Sequence, residues 1–281
     1  MEISINGKPA DVVLETEKNV GDLLSGMEQW LRGSGNRLSG ICIDGMETTV
    51  QRLPEVMERE LAAINTLDIR ISTWDELAAE ALANLKGYCN LYAASSFEER
   101  QQIRRDWEES ASGTFLGEEI KDIHNITRLS FAGEGITAAD LGILVDERMR
   151  ELADPGAEIG NIEKPVSEIT VRMTDLPLDV QTGKDGRAAE TIQLFSRMGE
   201  KIFRILQIQG KRGLDLNTMQ IDGIPAKSFL NDFGDALKEL TEACGNQDTV
   251  LIGDLAEYEL APRLNKLFIA IRDFSLQEAN K

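Results

Sequence analysis

The sequence predicts an α+β chain, mainly α, with a small sheet inside its first 73 residues and antiparallel helical bundle units after it. Three observations carry this. Strand-period alternation and an Asn-Gly hairpin signal occur before residue 73. Beyond it, apolar residues recur at i, i+3 and i+4 along most of the chain. Two capping-box patterns, Thr73 with Glu76 and Ser96 with Glu99, mark helix starts. At 281 residues the chain exceeds the usual size of one core. Its patterns divide it into residues 1–73, a bundle over 74–155, and a second helical unit over 156–281 that includes one short strand.

Residues 2–7 and 10–15 are apolar or alternating on either side of Asn6-Gly7, which predicts two antiparallel strands and a tight turn. Val20, Leu23, Leu24, Met27 and Leu31 follow at helical spacing, and Gly33-Ser34-Gly35-Asn36 stops that helix. Ile41-Cys42-Ile43 leads into an Asp44-Gly45 turn, and residues 67–72 alternate cleanly, giving two further strands. This order, with the connection over 53–66 before the last strand, resembles a ubiquitin-like β-grasp domain. The resemblance implies a sheet gripping one helix and a role in protein contacts or sulfur carriage. Conjugated and sulfur-carrying members end in a free Gly-Gly, whereas Ser72 here runs directly into another helix. Only the contact role therefore carries over.

From Thr73 a strong helix places Trp74, Leu77, Ala78, Ala81, Leu82, Leu85, Tyr88, Cys89 and Tyr92 on one stripe. Ser96 opens a short charged helix holding Ile103 and Trp107. One helix is expected over 116–131, and another after Thr137 buries Leu141, Leu144, Val145 and Leu152. Asp154-Pro155-Gly156 and the run to Pro165 are rich in turn formers and read as an inter-unit connection. Ile169, Val171 and Met173 alternate with Glu168, Thr170 and Arg172, which predicts an extended strand. A long helix over 187–208 turns Ile192, Phe195, Ile202, Phe203 and Leu206 to one face. Residues 227–244 carry Phe229, Leu230, Phe233, Ala236, Leu237, Leu240 and Cys244 as a stripe expected to pack against it. A last helix runs from near Asp248 through Ile271, with a kink or division at Pro262 and fraying over 275–281.

The formal charge of −19 would repel phosphate backbones, and only short basic pieces such as Arg104-Arg105 and Lys211-Arg212 interrupt it. Nucleic acid is not an expected partner; another protein, including a basic one, is. No apolar run reaches the length of a bilayer span, so membrane insertion is not expected either. The opening Met1-Glu2-Ile3-Ser4 lacks the basic and apolar regions of a secretory signal, which places the protein in the cytoplasm. Cys42, Cys89 and Cys244, odd in number and without CxxC spacing, read as reduced thiols packed as small hydrophobes. A homo-oligomer is compatible with all of this.

The residues that could carry chemistry are few. His124 is the sole histidine, which removes most zinc sites and most Ser-His-Asp or Cys-His arrangements. Its neighbours Ile123 and Ile126 make it a packed or surface residue first. Gly183-Lys184-Asp185-Gly186 precedes the long helix and could offer backbone amides to an anion, yet Asp185 stands where a phosphate loop needs a hydroxyl. Asp254, Glu257 and Glu259 lie close in sequence, and a helix would bring Asp254 and Glu257 to one face, as a magnesium site requires. Acidic residues early in a helix also simply favour its dipole. Trp74, Tyr88, Tyr92 and Trp107 could line a groove, although their spacing is that of a core stripe.

No residue is assigned to catalysis, to a cofactor or to a metal. The balance favours a protein-binding adaptor or scaffold. An acidic chaperone-like helper of an export or assembly system comes second, and would show an exposed apolar groove between helices. A carboxylate- or magnesium-dependent enzyme using Asp254, Glu257 and Lys184 comes third.

Overall fold

The chain is α+β and mainly helical, in a computed structural model that describes residues 1–12, 14, 16–31, 35–48 and 53–279. It divides into two compact units, Met1–Met149 and Arg150–Lys281.

In the first unit, Asn6 (φ 51°) and Gly7 (φ 71°) take left-handed backbone and turn β1 (Glu2–Ile5) into β2 (Lys8–Pro9). The second strand falls on Lys8–Pro9 and not on the expected 10–15: Ala10 still donates its N–H to the Ile3 carbonyl at 3.0 Å, and residues 11 and 12 have left the ladder. Of that stretch, Val13 and Glu15 lie outside the described residues. α1 (Val20–Leu31) comes next; Gly33 and Ser34 of its expected stop also lie outside them. β3 (Asn36–Ile43) passes through Asp44 (φ 50°) and Gly45 (φ 81°) into β4 (Met46–Glu47), a full hairpin where the sequence showed a strand and a turn. α2 (Leu53–Met57) and a 3₁₀ turn at Leu61–Ala63 lead to β5 (Thr66–Thr73).

The strand order is β2-β1-β5-β3-β4, with β1 and β5 parallel and the other pairs antiparallel. Val20, Leu23, Leu24 and Met27 of α1 share one core with Ile3, Ile41, Ile43, Leu67 and Ile69 of the sheet. Both hairpin turns are clamped to β5 by carboxylates. Asp68 accepts from the Ser4 hydroxyl (2.5 Å) and the Gly7 N–H (2.8 Å). Asp44 accepts from the backbone N–H groups of Thr66 (3.0 Å) and Asn65 (2.9 Å). These bonds favour the ionised forms and hold both carboxyls below the usual range.

β5 runs straight into α3 (Trp74–Ala94), where Thr73 and Glu76 form the reciprocal capping box read from the sequence. α4 (Phe97–Glu108), α5 (Ala111–Glu119), α6 (Lys121–Phe131) and α7 (Ala138–Ala153) follow. The single helix expected over 116–131 is two: Ile120 (φ −134°, ψ 64°) leaves helical backbone between α5 and α6. The break folds the His124 ring onto Gly117, within 3.3 Å of where a Cβ would stand.

In the second unit the expected connection is helical. Asp154 accepts from the Ala157 N–H at 2.8 Å and Pro155 occupies the first helical position of α8 (Pro155–Asn161), so these turn formers serve as a cap. The expected strand over 168–173 lies inside α9 (Glu163–Thr174). Val166, Ile169 and Met173 are buried at helical spacing while Val171 is 58% exposed; the short alternation was a fragment of a helical stripe. The strands this unit does contain are β6 (Gln220–Ile221) and β7 (Ile224–Pro225), joined through Asp222 (φ 53°) and Gly223 (φ 76°).

Around them stand α10 (Leu176–Gln181), α11 (Asp185–Lys211), α12 (Ala226–Asn246), α13 (Thr249–Asp254) and α14 (Ala261–Ala279). A π-helical turn, Leu255–Leu260, joins the last two. It sits where Pro262 withholds an N–H from the preceding turn, so the proline acts through a widened turn. The backbone stays helical through residue 279 where fraying was expected; Asn280 and Lys281 lie outside the described residues. Phe195, Ile202 and Leu206 of α11 share one core with Phe229, Phe233 and Leu240 of α12 and with Leu264, Leu267 and Phe268 of α14.

Candidate functional site

The His124 imidazole is half-buried against Gly117. Trp107 is 2% exposed and meets Tyr88 edge-to-face at 5.3 Å; Tyr92 stacks on Phe131 at 4.6 Å and donates its hydroxyl to the Phe131 carbonyl at 2.8 Å. Trp74 donates its indole N–H to Glu119 at 3.0 Å. These rings pack internally, and the polar ends of Tyr92 and Trp74 are hydrogen-bonded. Cys89 is buried, and burial pushes its thiol up to about 11, so it packs as a small hydrophobe.

At the start of α11 the chain supplies its own anion. Asp179 is 2% exposed, and its carboxylate lies 3.0 Å from Arg187 Nε and 3.6 Å from Lys184 Nζ. Lys184 caps the helix and Gly183 (φ 71°) makes the turn. The Gly183 to Gly186 segment therefore organises an internal carboxylate.

The acidic run near residue 254 is dispersed. Asp254 is exposed, Glu257 hydrogen-bonds the neighbouring Tyr258 hydroxyl, whose pKa it raises, and Glu259 pairs with Arg263. The π-helical turn changes the phase that a regular helix would have given Asp254 and Glu257. Among the described residues, no group of three His, Cys, Asp or Glu side chains is arranged to hold a metal ion.

A buried charge cluster was not visible in the sequence. Glu151, fully buried, receives Arg204 through Nε at 3.0 Å and a second guanidinium nitrogen at 2.8 Å, and Lys201 at 3.5 Å. Lys201 also reaches Glu158 at 2.6 Å. The two anions are thus offset by Arg204 and Lys201, with Arg150 a further 3.7 Å from Glu158, and the cluster ties the last turn of α7 and α8 to α11. A hollow of about 990 Å³ in this unit is lined by charges that are likewise engaged: Lys266 with Asp222 at 2.7 Å, and Asp215 with the Asn217 backbone at 2.8 Å.

An apolar groove of about 430 Å³ opens between α11 and α12. Phe195 and Phe233 are buried beneath it in edge-to-face contact at 6.3 Å, and Phe203 stacks on Phe233 at 5.8 Å. Ile192, Leu237 and Leu240 extend the apolar lining. The two helices meet through these rings while their backbones stay apart, which leaves the trough open. Gly199 lines it, and a Cβ there would meet nothing within 4 Å. Cys244 closes one end with a thiol that burial keeps protonated above its ordinary value. The sequence showed both stripes and had them pack together, as they do in one shared core, but it did not show the trough left between them. It missed Gly199, whose signal was a glycine inside a long helix, a position that costs about 1 kcal/mol relative to alanine.

The arrangement defines a class: a mainly helical α+β chain in which a small mixed-sheet domain precedes helical units, the second bearing an open apolar groove. No described helix is long and apolar enough to cross a membrane. Residues 1–73, ending at the last residue of β5, match the family described as the TP0873 N-terminal domain. Residues 179–269 match a domain of unknown function, DUF8042, and this stretch contains all of α11 and α12 and hence the groove. No curated protein and no solved structure matches the chain.

Proposed function

We propose that this is a cytoplasmic protein-binding adaptor or scaffold without catalytic activity, and that the α11–α12 groove receives a segment of its partner. The observation that carries the reading is the groove itself: apolar, floored by aromatic rings, and open in a unit whose buried charges are neutralised internally. Concave apolar surface of this kind gains by being covered. The sheet domain supplies a second contact module. Its strand order, parallel central pair and single covering helix support a β-grasp-like reading of residues 1–73.

The same groove favours a chaperone-like variant, in which the bound segment is a client that is later released. A photo-crosslinking residue at Thr241, which lines the groove, tests both. In the native cell it should give a discrete protein adduct that disappears when Gly199→Leu fills the trough; a crosslinker at Trp30, exposed on α1, reports the sheet domain separately. An adduct that persists in a pulse-chase marks an adaptor, and one that decays marks a chaperone. A Thr241 adduct indifferent to Gly199→Leu, or none at all, would remove the groove from the function.

A further inference from the structure

We infer that the occupant of the α11–α12 groove is a basic amphipathic helix of a partner protein, about three turns long, which places a Lys or Arg against Glu200. The inference rests on the adaptor reading and adds the chemistry of the partner.

Length comes from the lining. On α11 it runs from Ile192 to Phe203, which at 1.5 Å per residue is roughly 16 Å, or three helical turns. An extended strand of that length would leave its backbone N–H and C=O groups against phenylalanine and leucine side chains without partners, whereas a helix satisfies them internally. Apolar anchors at i, i+4 and i+7 would descend between the two walls. Gly199 is where the backbone of α11 is bare, and it admits the occupant's central anchor closest to the floor.

Charge comes from one residue and from the whole chain. Of the side chains lining the groove, Glu200 is the charged one. It is exposed, and among the described residues no hydrogen bond or ion pair engages it. Of the cations nearby, Lys201 and Arg204 are committed to Glu151 and Lys238 to Asp235 at 2.9 Å, while Arg197, one turn before Glu200, is exposed and lies outside the groove lining. An approaching cation therefore finds a single carboxylate at the lip of an apolar trough. The formal charge of −19 adds a long-range field that favours basic over acidic helices during encounter.

The test is binding of a fluorescent designed helix of about 14 residues, with leucines at i, i+4 and i+7 and lysines flanking them, against a twin in which the lysines are glutamates. Fluorescence anisotropy on the full chain should show the basic peptide binding on the order of tenfold more tightly than its twin at low salt, with the gap narrowing as salt rises. Glu200→Lys should reduce that preference by about threefold. Gly199→Leu should abolish binding, with far-UV circular dichroism reporting that the helix is intact. Equal binding of both peptides, still blocked by Gly199→Leu, would overturn the charge inference and leave the groove as an adaptor site. No binding by either peptide would overturn both. Concentration-dependent dimers in sedimentation, dissolved by Gly199→Leu, would assign the groove to a second copy of the chain and likewise overturn the proposal.

Discussion

Removing the Glu151 carboxylate should be among the most damaging single changes in the second unit. The side chain is fully buried and faces the Arg204 guanidinium at 3.0 and 2.8 Å and Lys201 at 3.5 Å. In Glu151→Ala the two cations lose their central anion. Breaking a buried ion pair from one side typically costs 3–5 kcal/mol, because the surviving charge stays desolvated. Here Arg204 and Lys201 keep 16% and 12% side-chain exposure, and Lys201 retains Glu158 at 2.6 Å. Both can be partly relieved, which places the loss near the low end, about 3 kcal/mol. With a urea slope of about 2 kcal/mol per molar, the transition of the second unit should move down by roughly 1.5 M. Replacing both Glu151 and Arg204 by leucine should recover most of this, since no lone buried charge is left at that pair. Urea unfolding followed by circular dichroism on the single and double variants decides the matter. A Glu151→Ala midpoint within about 0.5 M of wild type would refute the argument that the cluster is electrostatically interdependent.

Two further changes probe the first unit. A Cβ at Gly113 would stand 2.3 Å from the Trp107 carbonyl oxygen, so Gly113→Ala must push α5 from the end of α4 and should cost about 2 kcal/mol or more in thermal or urea unfolding despite alanine's better helix propensity; unchanged stability would contradict that close approach. Asp68 and Asp44 have folded-state pKa values below their unfolded value of 3.8, so the stability they confer is present above about pH 4 and is lost as pH falls through the folded values. Amide exchange of β1 and β5, corrected for intrinsic rates, should accelerate over that acid range. Asp68→Asn should flatten the dependence; an unaltered pH profile in that variant would exclude its clamp to Ser4 and Gly7 as the cause.

Much of the architecture was legible because it is written in local chemistry. Asn6-Gly7 and Asp44-Gly45 supply the positive φ that tight hairpin turns need, and Thr73 with Glu76 satisfies the first amides of α3. The errors arose where a short pattern had two physical readings. Ile169, Val171 and Met173 alternate over five residues, yet Val166 and Met173 belong to a helical stripe whose burial decides the period. Asp154-Pro155 can turn a chain or start a helix, and here it does the second.

The sequence by itself determined the fold class, the positions of the strongest helices, and the net acidity, since these depend on neighbours a few residues apart or on composition alone. The tertiary structure alone decided that Glu151 would meet Lys201 and Arg204 across 50 and 53 positions, and that Asp179 would occupy the start of α11. It also decided that the stripes of α11 and α12 would stop short of closing on each other above Phe195 and Phe233. A hydrophobic stripe states that a face will be buried; how much of it the second helix covers is set by the distance between two backbones, and that distance is fixed by the packing of the rings between them.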